Sequence, residues 1–242
     1  MNFIRSVKLE KLTKELRYVS KLPAVKSLAK LDEFEFISPV TYFVGENGSG
    51  KSTLLEALAV KYGFNAEGGS LNFSFSTKKT HSPLHSAIKL ARGIERPKTG
   101  FFLRAESFYN AASYIDTLGS EILGAYGGVS LHEQSHGESF FSLVLNRFID
   151  RGLYILDEPE AALSPSRQLS LLIRIKELAD NGSQFIIATH SPIVLACPNA
   201  DIYELSSKGI VKTAYEDTET YSVMKAFMDS PERMIDHLFE KE

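Results

Sequence analysis

Residues 45–53 form a glycine-rich segment that constrains the local fold and the ligand more than any other part of the sequence. This segment matches the phosphate-binding pattern G-x-x-x-x-G-K-[ST] at every required position. Its glycines let successive backbone N–H groups point at one anion. Lys51 supplies a positive charge for the β- and γ-phosphates, and the Ser52 hydroxyl can bind Mg²⁺. The predicted phosphate-binding residues are Gly45, Glu46, Asn47, Gly48, Ser49, Gly50, Lys51, Ser52 and Thr53.

The sequence on either side of this segment fits the same interpretation. Residues 40–44 are β-branched, aromatic or apolar and predict a buried strand. Residues 52–60 predict a helix. A bound phosphate would therefore lie at a helix N-terminus, where free backbone N–H groups favour anions.

Length and composition favour one large α/β domain over residues 1–242. Within it, residues 64–150 are expected to form a lobe of its own, beginning with a polar, Gly/Ser-rich surface segment. The net charge of −3 does not indicate nucleic acid or a membrane as a partner, although it does not exclude a local basic patch. Cys197 is the only cysteine, and no apolar run reaches the roughly 18 residues that span a bilayer. We therefore expect a cytoplasmic protein.

Strands and helices are predicted to alternate along the rest of the chain. Strands are expected at 100–104, 152–156 and 185–189, and a short one at 71–75. Helices are expected at 84–92, 107–118, 138–149 and 165–179, the last beginning at Pro165 after Ser164. This alternation predicts a parallel sheet with helices on its faces.

Two further groups of polar residues follow predicted strands. Asp157 and Glu158 end the apolar strand at 152–156, so they should lie at the carboxyl edge of the sheet, where α/β proteins bind ligands. There Asp157 could bind Mg²⁺, and Glu158 could polarise a water that attacks the γ-phosphorus. His190 ends the strand at 185–189 and could sense the γ-phosphate through a hydrogen bond.

Residues 135–138 place a serine and a glycine at the start of a predicted helix. Ser135, Gly137 and Glu138 could form a second anion site there. One nucleotide per chain leaves such a site empty unless two chains meet head-to-tail. An ordinary helix N-cap is the alternative interpretation.

Taken in order, these motifs resemble those of the ATP-binding-cassette ATPases. The matching segments are residues 45–53, Ser135-His136-Gly137-Glu138, Leu156-Asp157-Glu158-Pro159 and Thr189-His190-Ser191. They correspond to the family's Walker A, signature, Walker B and switch-histidine motifs. The resemblance implies an ABC-ATPase-type P-loop NTPase fold, with a mostly parallel central sheet flanked by helices, an antiparallel β part and a helical signature subdomain.

The chain departs from the family pattern at three positions. Glu106 stands where a glutamine usually contacts Mg²⁺ and the attacking water, and the resemblance implies a metal-binding role for it. His136 replaces the first glycine of the signature, and Ser164 stands where the D-loop usually has aspartate.

A finer resemblance is to a branch of small bacterial ATPases akin to the RecF, SMC and OLD groups. It rests on residues 157–165, 188–192, 102–108 and 215–219. The resemblance implies ATP and Mg²⁺ as cofactors, hydrolysis with Lys51, Glu158 and His190 as catalytic residues, and a homodimer in the ATP-bound state. It also implies a separate effector protein, in DNA maintenance or phage defence. Nucleic acid stays open as a partner, and membrane association is not expected.

Several alternatives remain open at this point. The chain could be the nucleotide-binding subunit of a membrane transporter, or a module in which ATP scaffolds a partner with little hydrolysis. Tyr18 competes with Phe3, Phe34 and Phe36 for the role of stacking on adenine. His81 and His85 could share a metal, although no further ligand lies nearby in the sequence. Basic side chains at 78, 79, 92 and 96 could contact DNA or simply face solvent.

Overall fold

The computed structural model describes residues 2–10, 16, 18–71, 82–104 and 136–239, without the side chains of residues 136 and 137. Its strands are β1 (Ile4–Leu9), β2 (Phe34–Glu35), β3 (Val40–Val44), β4 (Gly69–Ser70), β5 (Ile88–Arg92), β6 (Thr99–Arg104), β7 (Gly152–Asp157), β8 (Gln184–Ala188), β9 (Asp201–Ser206) and β10 (Gly209–Thr213). Its helices are α1 (Pro23–Leu28), α2 (Lys51–Tyr62), α3 (His136–Arg147), α4 (Pro165–Asp180), α5 (Pro192–Leu195), α6 (Glu219–Asp229) and α7 (Pro231–Phe239). Short 3₁₀ helices span Val19–Lys21, Pro83–Ala87 and Tyr215–Asp217.

Within these ranges the central sheet has seven strands in the order β10-β9-β3-β8-β7-β6-β4. The five strands from β9 to β6 are parallel, and the two edge strands pair antiparallel to their neighbours. This confirms the predicted mixed, mostly parallel sheet. Because β3, β8 and β7 are neighbours, the segments that follow them emerge at the same edge.

Alternating side chains of the central strands pack into two cores, one on each face of the sheet. Phe43, Ile155 and Ile186 pack with α2 and with the three-stranded antiparallel sheet β2-β1-β5. Tyr42 and Ile187 belong to the opposite core, which α3, α4 and α5 cover. The three central strands β3, β8 and β7 are therefore buried on both faces, as parallel sheets of this kind require.

The structure bears out most of the local predictions that lie in the described residues. β3 spans the predicted residues 40–44, and α4 begins at Pro165 as predicted. Helix α3 ends at Arg147, two residues before the predicted end. The predicted strand at 71–75 and the helix at 107–118 lie outside the described residues, apart from Leu71.

The predicted helix at residues 84–92 is wrong. This segment is a 3₁₀ helix over Pro83–Ala87 followed by strand β5. β5 pairs antiparallel with β1, placing Ile88 opposite Leu9 and Leu90 opposite Val7. The alternation of Ile88 and Leu90 with Lys89 is a strand pattern, which the helix-forming residues around it obscured.

Candidate functional site

The phosphate loop connects the buried strand β3 to helix α2, which begins at Lys51. Gly45, Gly48 and Gly50 all have positive φ, at 137°, 81° and 95°. Gly45 also packs against β9, because a Cβ added there would lie 2.4 Å from the carbonyl oxygen of Leu205. Only glycine fits both the conformation and the space at this position.

The Lys51 side chain lies beneath the loop and is only 5% exposed. Its Nζ donates hydrogen bonds to the carbonyl oxygens of Gly45 at 2.6 Å and Glu46 at 3.1 Å. Burial lowers the pKa of Lys51, and the nearby carboxylates of Glu158, Asp157 and Glu160 oppose that shift. The ammonium group is thus held between the loop and an acidic cluster.

Ser52 and Asp157 form a pair of oxygen donors at the first turn of α2. The Ser52 hydroxyl donates to Oδ1 of Asp157 at 3.1 Å, and Asp157 is 7% exposed. Burial raises the pKa of Asp157 to about 6, and the Ser52 hydrogen bond counteracts part of that rise. A hydroxyl and a carboxylate suit Mg²⁺, which prefers oxygen ligands and completes its shell with phosphates and water.

Glu158 follows Asp157 at the point where the chain leaves β7. Its φ is +50°, a left-handed conformation that non-glycine residues adopt uncommonly. Its backbone N–H donates to the carbonyl oxygen of Ala188 at 2.9 Å, which ties this turn to the end of β8. Strain of this kind is often retained at functional sites.

His190 is exposed and lies two residues beyond the end of β8. Its backbone N–H donates to Oε1 of Glu160 at 2.7 Å. Sequence reasoning did not assign a site role to Glu160. The one signal available was a third carboxylate after the Asp157-Glu158 pair.

These elements surround a cavity of about 640 Å³. Residues 44–49 of the loop form one wall, and Glu158 and His190 form another. Residues 204–207, at the end of β9 and the start of the turn to β10, complete it together with Pro23 and with residues 218–220 at the start of α6. The structure thus brings the loop, Glu158 and His190 together, as the sequence predicted. The last two walls were not predicted.

The second predicted anion site is described only in part. Ser135 and Glu106 lie outside the described residues. Gly137 and Glu138 belong to the first turn of α3, and the Glu138 carboxylate lies 3.4 Å from Nη2 of Arg167 on α4. A nucleotide contact for these residues stays a prediction.

Of the four aromatic residues that were candidates for stacking on adenine, the structure excludes three and leaves Tyr18 as a prediction. Phe3, Phe34 and Phe36 are core residues, exposed by 6% or less, so they cannot stack on a ligand. Tyr18 is 58% exposed, but it is not among the residues that line the cavity. Its role stays a prediction.

The alternative metal and DNA sites gain no structural support. His81, Lys78 and Lys79 lie outside the described residues. The Arg92 guanidinium stacks over the Tyr62 ring at 4.6 Å and donates to the Tyr62 carbonyl oxygen at 2.9 Å, so it is already engaged.

The described part of the chain also lacks a cluster of metal ligands and a helix that could span a membrane. Among these residues, no group of three or more His, Cys, Asp or Glu side chains is placed so that it could hold a metal ion. In the same ranges, every helix is too short or too polar to cross a membrane.

Comparison with family models identifies ATPase families. The family described as "AAA domain, putative AbiEii toxin, Type IV TA system" matches residues 78–196. A second family, described as "AAA domain", matches residues 21–96. Both descriptions agree with the ATPase resemblance inferred from the motifs.

Comparison with curated proteins finds an import ATP-binding protein and a member of an ABC transporter family. The chain is 26% identical to the ribose import ATP-binding protein RbsA of Yersinia pestis over 269 residues, covering 100% of this chain and 49% of that protein. It is 27% identical to ABC transporter G family member 22 of Arabidopsis thaliana, covering 63% of this chain and 23% of that protein. The chain therefore spans about half the length of the ribose import relatives that it matches.

Comparison with solved structures establishes the fold. The ADP conformation of MJ1267, an ATP-binding cassette of an ABC transporter, superposes with a TM-score of 0.50 at 16% identity, covering 99% of this chain and 100% of that one. The chain has the fold of an ABC ATP-binding cassette, and the curated proteins that it resembles are an import ATP-binding protein and an ABC transporter.

Proposed function

We propose that this chain binds ATP in the cavity between the phosphate loop and α6, and hydrolyses it to ADP and phosphate. One observation carries the proposal: Glu158 and His190 line the same cavity as the phosphate loop, beside the hydrogen-bonded pair Ser52–Asp157. A plain phosphate-binding loop would need neither the acid nor the histidine. Hydrolysis needs a group that polarises water and groups that stabilise charge on the γ-phosphate.

Each residue has a role that follows from its position. Backbone N–H groups of the loop and the N-terminus of α2 would bind the phosphates, and Lys51 would neutralise the β/γ charge. Glu158 would accept a proton from the attacking water, and His190 would donate a hydrogen bond to the γ-phosphate. Ser52 and Asp157 would hold Mg²⁺, with Glu106 as a further candidate ligand. The cation would supply positive charge against the phosphate oxygens.

An ATPase assay on the purified chain with Mg²⁺ tests this proposal. Glu158→Gln removes the base and keeps the shape, so turnover should fall by at least ~10²-fold while ATP still binds. Asp150→Asn provides a matched control, because this exposed carboxylate lies before β7 rather than after it. Near-normal turnover in Glu158→Gln would contradict the assignment of the base.

The biological setting is a finer proposal. We infer an ATP-dependent homodimer in which residues 135–138 of each chain close the nucleotide site of the other, acting with a separate effector protein. The family description that names a toxin of a type IV toxin–antitoxin system supports a defence-related setting over DNA maintenance. A pull-down of tagged Glu158→Gln chain with ATP, compared with ADP, should capture the effector selectively if the dimer is the binding form.

The curated relatives favour a second candidate, the ATP-binding subunit of an importer. That function requires a membrane partner, so the chain should sediment with membranes when its neighbouring genes are co-expressed. Glu160 weighs against this candidate, because it departs from the sequence that follows the Asp-Glu-Pro motif in transporter subunits. Recovery of the protein only in the soluble fraction under these conditions would exclude the importer.

A further inference from the structure

The turn that carries Glu158 is joined to the end of β8 by two hydrogen bonds. The Glu158 N–H donates to the carbonyl oxygen of Ala188 at 2.9 Å. Oε1 of Glu160 accepts from the backbone N–H of His190 at 2.7 Å. The first bond extends the pairing of the two strands, whereas the second uses a side chain to reach beyond it.

Backbone hydrogen bonds within the turn restrict where the Glu160 carboxylate can lie. Ala161 N–H donates to the Glu158 carbonyl oxygen at 3.1 Å, and Leu163 N–H donates to the Glu160 carbonyl oxygen at 2.8 Å. A carboxylate on so short a turn cannot shift far unless the turn opens. Glu158 and the His190 peptide are therefore connected through a stiff segment.

A second set of contacts holds the other side of His190. Ser191 N–H donates to Oγ1 of Thr189 at 3.0 Å, and the Ser191 hydroxyl donates to Oε1 of Gln168 on α4 at 2.6 Å. The same hydroxyl caps α5 by accepting from the N–H groups of Ile193 and Val194. The backbone around His190 is thus held from both sides, and His190 itself lines the cavity.

Burial of the second carboxylate oxygen of Glu160 costs folding free energy. Among the described residues, Oε2 is buried and has no hydrogen-bond partner. An unsatisfied buried acceptor costs free energy, so stability alone does not explain a glutamate here. Unsatisfied buried groups call for a functional explanation, and the hydrogen bond that Oε1 accepts from the His190 N–H offers one.

We propose that Glu160 is a positioning residue that holds the His190 peptide at a fixed distance from Glu158, so that the γ-phosphate contact and the water-polarising carboxylate act together. This inference rests on the proposed ATP hydrolysis. Glu160 touches neither substrate nor water in this role and acts through the backbone of His190.

Turnover measurements on three variants test this role. Glu160→Ala should lower kcat by about tenfold or more, with the KM for ATP and the thermal midpoint close to wild type. Glu160→Gln keeps an oxygen acceptor and should recover most of the lost kcat. Glu177→Ala, which removes an exposed carboxylate from α4, is the matched control and should behave as wild type. An equal loss in Glu160→Ala and Glu160→Gln would mean that the charge acts directly, and would overturn the proposal.

A double-mutant comparison checks whether Glu160 acts through His190. On a His190→Ala background, Glu160→Ala should cost little additional kcat, because the residue it positions is absent. A full additional tenfold loss would overturn the proposal.

Amide hydrogen exchange tests the contact without requiring turnover. Glu160→Ala should accelerate exchange at the His190 N–H, and Glu160→Gln should leave it protected. If the wild-type chain does not hydrolyse ATP, the proposed function fails. The exchange measurement still decides whether the Glu160 carboxylate holds the His190 N–H. Unchanged exchange at the His190 N–H in Glu160→Ala would overturn the proposal that Glu160 holds this peptide.

Discussion

The Ser52 hydroxyl donates a hydrogen bond to Oδ1 of Asp157 over 3.1 Å, although the two residues are 105 positions apart in the sequence. The strand order β3-β8-β7 brings them together, because only β8 separates the strand before the loop from the strand that ends in Asp157. This bond joins the first turn of α2 to the acidic end of β7. The phosphate loop and the proposed hydrolytic residues therefore belong to one connected structure.

Lys51→Ala should weaken ATP binding by at least tenfold, because it removes the charge proposed to meet the β/γ-phosphates. Isothermal titration calorimetry with ATP and Mg²⁺ measures the change directly. Lys61→Ala, in the last turn of the same helix, is the control and should bind as wild type. Wild-type affinity in Lys51→Ala would contradict the role of the loop lysine.

The proposed dimer should depend on ATP and on Ser135. Glu158→Gln retains ATP, so it should run as a dimer in size-exclusion chromatography with light scattering, because a ligand bound between two chains favours their association. Adding Ser135→Arg should restore the monomer with nucleotide still bound. If the protein is a monomer at every ATP concentration and still hydrolyses ATP at full rate, residues 135–138 serve only as a helix N-cap.

Tyr154→Phe should lower the free energy of unfolding by about 1–3 kcal/mol. The fully buried Tyr154 hydroxyl accepts from the N–H of Ile149 at 2.7 Å and donates to its carbonyl oxygen at 2.7 Å, so the variant leaves both backbone groups without this partner. Urea denaturation measures the loss. Tyr215→Phe is the control: its hydroxyl makes one bond, to the Pro192 carbonyl oxygen, at a more exposed site. Equal losses in the two variants would contradict this explanation.

Cys197 should react slowly with a disulfide reagent in the native protein. The thiol is 6% exposed, and burial raises its pKa to about 11. Because the thiolate is the reactive form, little of it exists at pH 8, and its fraction rises as the pH approaches 11. Labelling followed by absorbance should be slow at pH 8 and complete once denaturant is added. Rapid native labelling at pH 8 would contradict the burial of this side chain.

The parts of the fold that the sequence predicted well depend on local patterns. A run of apolar residues is enough to identify β3, β7 and β8, and a Ser-Pro start identifies α4. The helix prediction over residues 84–92 is wrong because the alternating pattern of β5 is short, and the pairing that makes it a strand is with β1, some 80 residues earlier in the sequence. Propensity cannot report such a long-range pairing.

In the candidate site too, local motifs predicted some features, whereas others depend on the tertiary structure. Lys51, Asp157, Glu158 and His190 belong to motifs that follow strands, so their meeting at one sheet edge followed from the predicted parallel order. The contact between the Glu160 side chain and the His190 N–H depends on the shape of one turn, and φ +50° at Glu158 was not readable from the sequence. The walls at 204–207 and 218–220 depend on how the last strands and α6 return to the loop.

These walls have a consequence for how the protein is made. The phosphate loop leaves the ribosome before residues 218–220, which follow it by more than 160 positions. A nascent chain therefore contains the phosphate-binding loop long before it contains the residues that complete the cavity. If ATP binds here as proposed, it can stabilise only chains that have been synthesised beyond this point, and it then stabilises the whole domain at once.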